Sequence, residues 1–69
     1  MHAELASDVL AANQGTVFLF NSLTARAQEW VDDNVVSEPW QWLGRTLVVE
    51  ARYASGLAQA MQDAGLVLE

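Results

Sequence analysis

Hydrophobic positions along the chain change period twice, from strand-like runs to helical spacing. The later switch is the clearer. Thr46-Leu47-Val48-Val49-Glu50 is an apolar, β-branched run, and behind it Tyr53, Leu57, Met61 and Ala64 recur along one helical stripe before Gly65. Such a run reads as a strand, and the stripe as a helix starting near Ala51 or Arg52. Gly65 is placed for the left-handed C′ position, with Leu66 able to fold back on Met61 in a Schellman ending. Upstream, Thr16-Val17-Phe18-Leu19-Phe20 is apolar on both faces, which suits a central or parallel strand. Asn21 and Ser22 break it. Leu23, Ala27, Trp30 and Val31 then fall at i, i+4, i+7 and i+8, which predicts a helix from 25 to about 33 with Thr24 as its N-cap.

Two stretches are less regular. Residues 2–12 carry Leu5, Ala6, Val9 and Leu10 at helical spacing with Glu4 and Asp8 elsewhere, predicting a short amphipathic helix ended by Asn13-Gln14-Gly15. A helix that short is marginal alone, so it depends on docking Val9 and Leu10. Between Val35 and Gly44, Pro39 blocks a continuing helix, and Trp40 and Trp42 alternate about Gln41. This predicts an irregular connection that lays one or both tryptophans over the core. Val67-Leu68 adds a short third strand. The expected order is (α)-β-α-β-α-(β): an α/β unit, with α+β as the alternative, in which a two- to three-stranded sheet packs on two helices. Residues 1–15 form an N-terminal segment and residues 16–69 one small domain. Parallel pairing of the two main strands would make the crossover between them right-handed.

Composition adds a partner. A 69-residue chain buries only a modest share of its surface, yet 52% of these residues are hydrophobic and three are tryptophan. With no cysteine, neither a disulfide nor a thiolate metal site stiffens the fold. Small scaffolds without such staples resort to oligomerisation, so a dimer is expected. Nine acidic residues against three arginines and no lysine give a net charge of −6. That balance argues against direct nucleic-acid binding, which rests on cationic side chains displacing counterions. It points instead to a basic protein surface. The apolar runs are far too short to cross a membrane, and the first residues lack the pattern of a secretion signal, so a cytoplasmic location is expected.

Candidate chemistry is sparse. The serines have only His2 as a possible base, the glycines are scattered without a phosphate-loop pattern, and thiol chemistry requires a cysteine. Glu50, Arg52 and Tyr53 sit at a strand-to-helix junction, where α/β folds often place ligand-facing groups. Glu50 there could anchor a cationic ligand or act as a general base. The pattern reads more simply as Glu50 lying favourably near the helix N-terminus, with Arg52 in an ordinary ion pair. No matched acid or nucleophile accompanies it. Glu29, Asp32 and Asp33 bring carboxylates together in sequence, but without the loop spacing of a calcium site they read as a solvated face. No cofactor and no metal is expected. Asp32, Asp33 and Asp63 lie in the last turns of their helices, where negative charge opposes the dipole by about 0.3–1 kcal/mol each. This lack of local benefit suits a role in meeting a basic partner. Trp30 falls on the apolar stripe and reads as core. The partner-binding candidates are therefore Trp40 and Trp42 as aromatic anchors, with Glu29, Asp32, Asp33, Glu38 and Asp63 around them.

Leu23-Thr24, Trp30, Trp42-Leu43-Gly44, Leu47-Val48-Val49-Glu50 with Arg52-Tyr53, and Ala64-Gly65-Leu66 carry a resemblance. Over residues 16–68 the chain resembles a group of short bacterial and phage-associated proteins of the pattern L-T-x-x-A-x-x-W, W-x-G-x-x-L-V-V-E-x-R-Y and A-G-L. That group often has proline after the threonine, where this chain has Ala25, a departure that touches only helix initiation. The resemblance implies a fold and a bacterial or phage setting, and no catalysis. The expected function is a non-enzymatic, acidic protein-interaction module that self-associates. The alternative in a phage setting is an inhibitor, such as an anti-CRISPR or another DNA-mimicking antagonist, whose carboxylates stand in for phosphates.

Overall fold

Strand alternation begins earlier than the helical spacing suggested. In the computed structural model, which describes residues 7–69, Val9 is fully buried and Leu10 exposed. The elements are β1 (Val9–Asn13), β2 (Val17–Ser22), α1 (Ala25–Asn34), a 3-10 turn (Pro39–Gln41), β3 (Trp42–Leu43), β4 (Thr46–Glu50) and α2 (Ala51–Asp63). The sheet has four strands in the order β1-β2-β4-β3, and every neighbouring pair is antiparallel. This is an α+β fold rather than the α/β unit first expected, with more strands and a different element order.

Residues 9–13, read as the end of a helix, are the first correction; the remainder of that segment up to residue 6 lies outside the described residues. Asn13-Gln14-Gly15 does not stop a helix but turns a hairpin. The Gln14 N–H donates to the Val17 carbonyl at 2.9 Å, and the Gly15 N–H to Asn13 Oδ1 at 2.8 Å. Gly15 has φ of +87°, the positive value needed at the first central position of a two-residue type II′ loop. Gly44-Arg45 joins β3 to β4 in the same manner, between the paired Leu43 and Thr46. The sheet thus begins at Val9 rather than at residue 16.

The second correction concerns strand direction. β2 and β4 pair as expected in sequence, Phe18 with Val49 and Phe20 with Leu47, but antiparallel. The crossover through α1 delivers β3, which runs in the same direction as β2. The hairpin at Gly44 then reverses the chain and inserts β4 between them.

One face of the sheet carries the core. Val9, Phe20, Leu47 and Val49 meet Ala27 and Val31 of α1, Ala54 and Met61 of α2, and Leu66. Ala11, Phe18, Trp30, Trp42 and Leu57 pack around them, half-buried, with Phe18 stacked on Phe20 at 6.3 Å between ring centroids. Fully burying side chains such as Leu47, Met61, Val9 and Val31 stabilises by about 1.5–3 kcal/mol each.

The helix ends follow the expected chemistry. Thr24 caps α1, its Oγ1 accepting from the Ala27 N–H at 3.2 Å. α2 closes in a Schellman motif, with Leu66 N–H on the Met61 carbonyl at 3.0 Å and Gly65 N–H on the Gln62 carbonyl at 2.9 Å. The chain then runs parallel to β1. Glu69 N–H donates to the Val9 carbonyl, and Ala11 N–H to the Glu69 carbonyl, both at 2.9 Å. This covers one sheet edge, which would otherwise offer unpaired backbone groups. At the other edge β3 pairs only with Thr46 and Leu47, leaving Val48–Glu50 without a strand on that side.

Candidate interaction surfaces

Where β3 stops, the 35–41 connection swings past the bare edge of β4 and leaves a groove. It has a volume of about 450 Å³ and is lined mainly by apolar side chains, among them Val35, Val36, Trp40, Val48, Tyr53 and Leu57. The groove keeps its shape through the connection's own hydrogen bonds. Glu38 N–H donates to Gln41 Oε1 at 2.8 Å, and Gln41 Nε2 to the Val48 carbonyl at 3.1 Å. The two tryptophans that flank Gln41 divide. Trp40 is 73% exposed on the groove, as suits an anchor for a partner. Trp42 turns inward, packs half-buried against the core and donates from Nε1 to Ser37 Oγ at 2.8 Å. In an unbroken strand the two residues, two apart, would share a face. The 3-10 turn begun at Pro39 holds Trp40 out of the strand, while Trp42 opens β3 and pairs with Leu47, and this break in the strand period separates them.

The acidic candidates do not gather on the groove. Glu29, Asp32 and Asp33 are exposed on α1, Asp63 is exposed at the end of α2, and Glu38 precedes the 3-10 turn. Glu29 and Asp33 border a smaller hollow with Arg26 and Trp30, of about 230 Å³. Among the described residues, no three acidic or histidine side chains converge closely enough to share an ion. The aspartates at the helix ends have local company. Gln28 Nε2 donates to Asp32 Oδ1 at 2.9 Å, and Gln59 Nε2 to Asp63 Oδ1 at 3.0 Å. Each such i, i+4 pair contributes about 0.2–0.5 kcal/mol, offsetting part of the unfavourable dipole interaction.

Glu50 and Arg52 form a loose pair at 3.5 Å, with side chains 62% and 71% exposed. Arg52 lies over the Tyr53 ring at 4.8 Å from its centroid. Glu50 borders the groove and Arg52 does not. The junction therefore has the geometry of a surface ion pair with a stacked cation, each worth under about 1 kcal/mol.

One group escaped the sequence reading altogether. Asp8 is 3% exposed and fully hydrogen-bonded. Arg26 grips it with a two-pronged contact, Nε to Oδ1 at 3.0 Å and Nη2 to Oδ2 at 2.7 Å. Thr24 Oγ1 donates to Oδ1 at 2.8 Å, and the Val67 N–H to Oδ2 at 2.9 Å. Arg26 Nη2 also reaches the Gly65 carbonyl at 2.8 Å. The Arg26 hydrogen bonds above all, then the Val67 N–H and the Thr24 hydroxyl, hold the Asp8 carboxyl well below the ordinary carboxylate range. Asp8 in turn raises the Arg26 pKa. This cluster ties the start of β1, the first turn of α1 and the C-terminal segment together. The buried Asp8 carboxylate takes all its partners from within the chain, so the cluster reads as a structural clasp.

Among the described residues, no helix covers the outer face of the sheet, where Leu10 and Leu43 are exposed and Ala12, Val17, Leu19 and Val48 half-buried. Leu10 and Ala12 of β1, Val17 and Leu19 of β2, Val48 of β4 and Leu43 of β3 point away from the helices. None belongs to the core or packs against it. Comparison with protein-family models, curated proteins and solved structures returned no match to this chain. No described helix is long and apolar enough to cross a membrane.

Proposed function

We propose that the chain is a non-enzymatic, acidic protein-interaction module that self-associates and binds a protein partner through the Trp40 groove. The observation that carries this reading is the amount of apolar surface left outside a well-filled core. Leu10, Val36, Trp40, Leu43 and Tyr53 are all exposed, and most lie around the groove or on the bare sheet face. A large exposed apolar patch on a small domain marks an interaction site, and an exposed tryptophan beside a preformed groove suits a binding hot spot. The net charge of −6 favours a basic partner.

Sedimentation across the micromolar range tests the self-association half of the reading, with a concentration-dependent dimer expected and a monomer throughout rejecting it. A second reading, an antagonist that imitates nucleic-acid phosphates, draws on the solvent-facing carboxylates of α1. Among the described residues, Glu29, Asp32, Asp33, Glu38 and Asp63 make no ion pair. That reading requires partner binding to weaken steeply with salt, whereas an apolar groove contact tolerates it.

A further inference from the structure

We infer that the outer face of the sheet is the self-association interface, closed face to face by a second copy of the chain across a two-fold axis. This rests on reading the chain as a self-associating module and names the surface that does it.

Chemistry on this face selects a second copy over a charged partner. Its centre is Ala12, Leu19 and Val48 side by side in register across three strands, with Leu10, Asn21, Thr46 and Leu43 forming the next row. No charged side chain lies in either row; Glu50, beside Val17, stands at the margin. A neutral apolar patch is complementary to itself, as a two-fold interface requires. Its polar members suit the same arrangement. Asn21 pairs with Thr46, and an amide and a hydroxyl each donate and accept, so either can satisfy its own copy. An aspartate or a lysine in that position could not.

The acidic charge points the same way. Face-to-face sheets pack at about 10 Å, and each helical layer adds a further ~10 Å on the far side. The carboxylates of α1 in the two copies would then lie roughly 30 Å apart, nearly four screening lengths of ~8 Å at physiological salt. Docking through the helices would instead bring Glu29, Asp32 and Asp33 of both copies together.

The area also fits. Three strands at ~4.8 Å and about five residues at ~3.4 Å, with the two residues of β3 beside them, give a footprint of roughly 280 Å². With side-chain relief this amounts to roughly 400–500 Å² per partner, the size of a weak, transient interface. A weak dimer, dissociating in the micromolar range or above, is therefore the expected outcome.

The test uses the full chain and sedimentation equilibrium. Leu19→Lys sets two cations against each other at the centre of the face and is expected to raise the dimer dissociation constant at least a hundredfold. Gln62→Lys, an equal charge change on exposed α2, is expected to leave it within about threefold. Circular dichroism checks folding. If Leu19→Lys fails to fold, single cysteines provide a second measurement, since the native chain has none. Spin labels at Leu19→Cys should report a short distance between copies, and labels at Gln28→Cys a longer one. Leu19→Lys dimerising like wild type, Trp40→Ala dissociating the dimer when Leu19→Lys does not, or a shorter distance at position 28 than at 19 would each overturn the interface while leaving self-association intact. A wild-type monomer at all concentrations would instead remove self-association itself.

Discussion

Replacing Trp42 should cost far more stability than replacing Trp40, although the two are separated by one residue. A tryptophan side chain buries up to about 150–250 Å². Trp42 is half-buried against the core, so Trp42→Ala forfeits roughly 100 Å², or about 2.5 kcal/mol at ~25 cal/mol per Å². Losing the Nε1–Ser37 hydrogen bond adds less than about 1 kcal/mol, because water can replace it at a half-buried site. Trp40 is 73% exposed and stands to lose about 1 kcal/mol. Domains of this size have a total stability of roughly 3–10 kcal/mol, so Trp42→Ala would remove a quarter or more of it. Urea denaturation followed by far-ultraviolet circular dichroism measures both variants at one protein concentration, because association shifts the midpoint. Trp42→Ala within 0.5 kcal/mol of wild type would refute the assignment of this side chain to the core, as would equal losses at the two positions.

Three further outcomes follow from the helix ends and the buried carboxylate. Because the folded-state pKa of Asp8 is depressed below its ordinary value of 3.8, its contribution is fully present above about pH 4 to 5 and is lost as pH falls toward the folded value. Asp8→Asn should lower stability at pH 7 and flatten the acid limb of a urea-midpoint profile between pH 5 and 2; an unchanged acid limb would show that other carboxylates govern it. Gly65→Ala places a side chain at φ of +88° and should cost about 1–2 kcal/mol in thermal or urea denaturation, while a neutral result would show that the Schellman turn rearranges freely. Thr24→Ala removes a helix cap and a donor to Asp8, and a loss of at least about 1 kcal/mol is expected, measured the same way.

Of the candidate site, the sequence marked the 35–44 connection and the value of an outward tryptophan there, but not which one. Trp40 and Trp42 are chemically the same, and only pairing of Trp42 with Leu47 turns one inward. The acidic residues of α1 were legible as a solvated face from their offset to Leu23, Ala27, Trp30 and Val31. Asp8 was not legible, because its partners Arg26 and Val67 lie 18 and 59 residues away. The bare sheet face was equally hidden. Apolar residues on both sides of β2 and β4 signalled two buried faces, whereas both helices pack on one.

Local chemistry determined most elements from Thr16 onward, although β2 runs through Asn21 and Ser22 instead of breaking there, and Trp42–Leu43 form a short strand inside the connection read as irregular. The Thr24 cap, the stripe of Ala27, Trp30 and Val31, the β-branched run Thr46–Glu50 and the Gly65 ending each depend on neighbours within a few residues, and each lies where its pattern put it, whereas Leu23 at the head of that stripe is exposed. Tertiary structure decided the rest. Val9 and Leu10 satisfy helical and strand periods alike over so short a stretch, and only a partner strand across the Gly15 turn resolved them. The antiparallel pairing of β2 with β4 likewise depended on the Gly44 reversal placing β4 inside the sheet. Strand direction and face are set by long-range contacts, and a one-dimensional pattern of apolar residues carries no information about which neighbour will supply them.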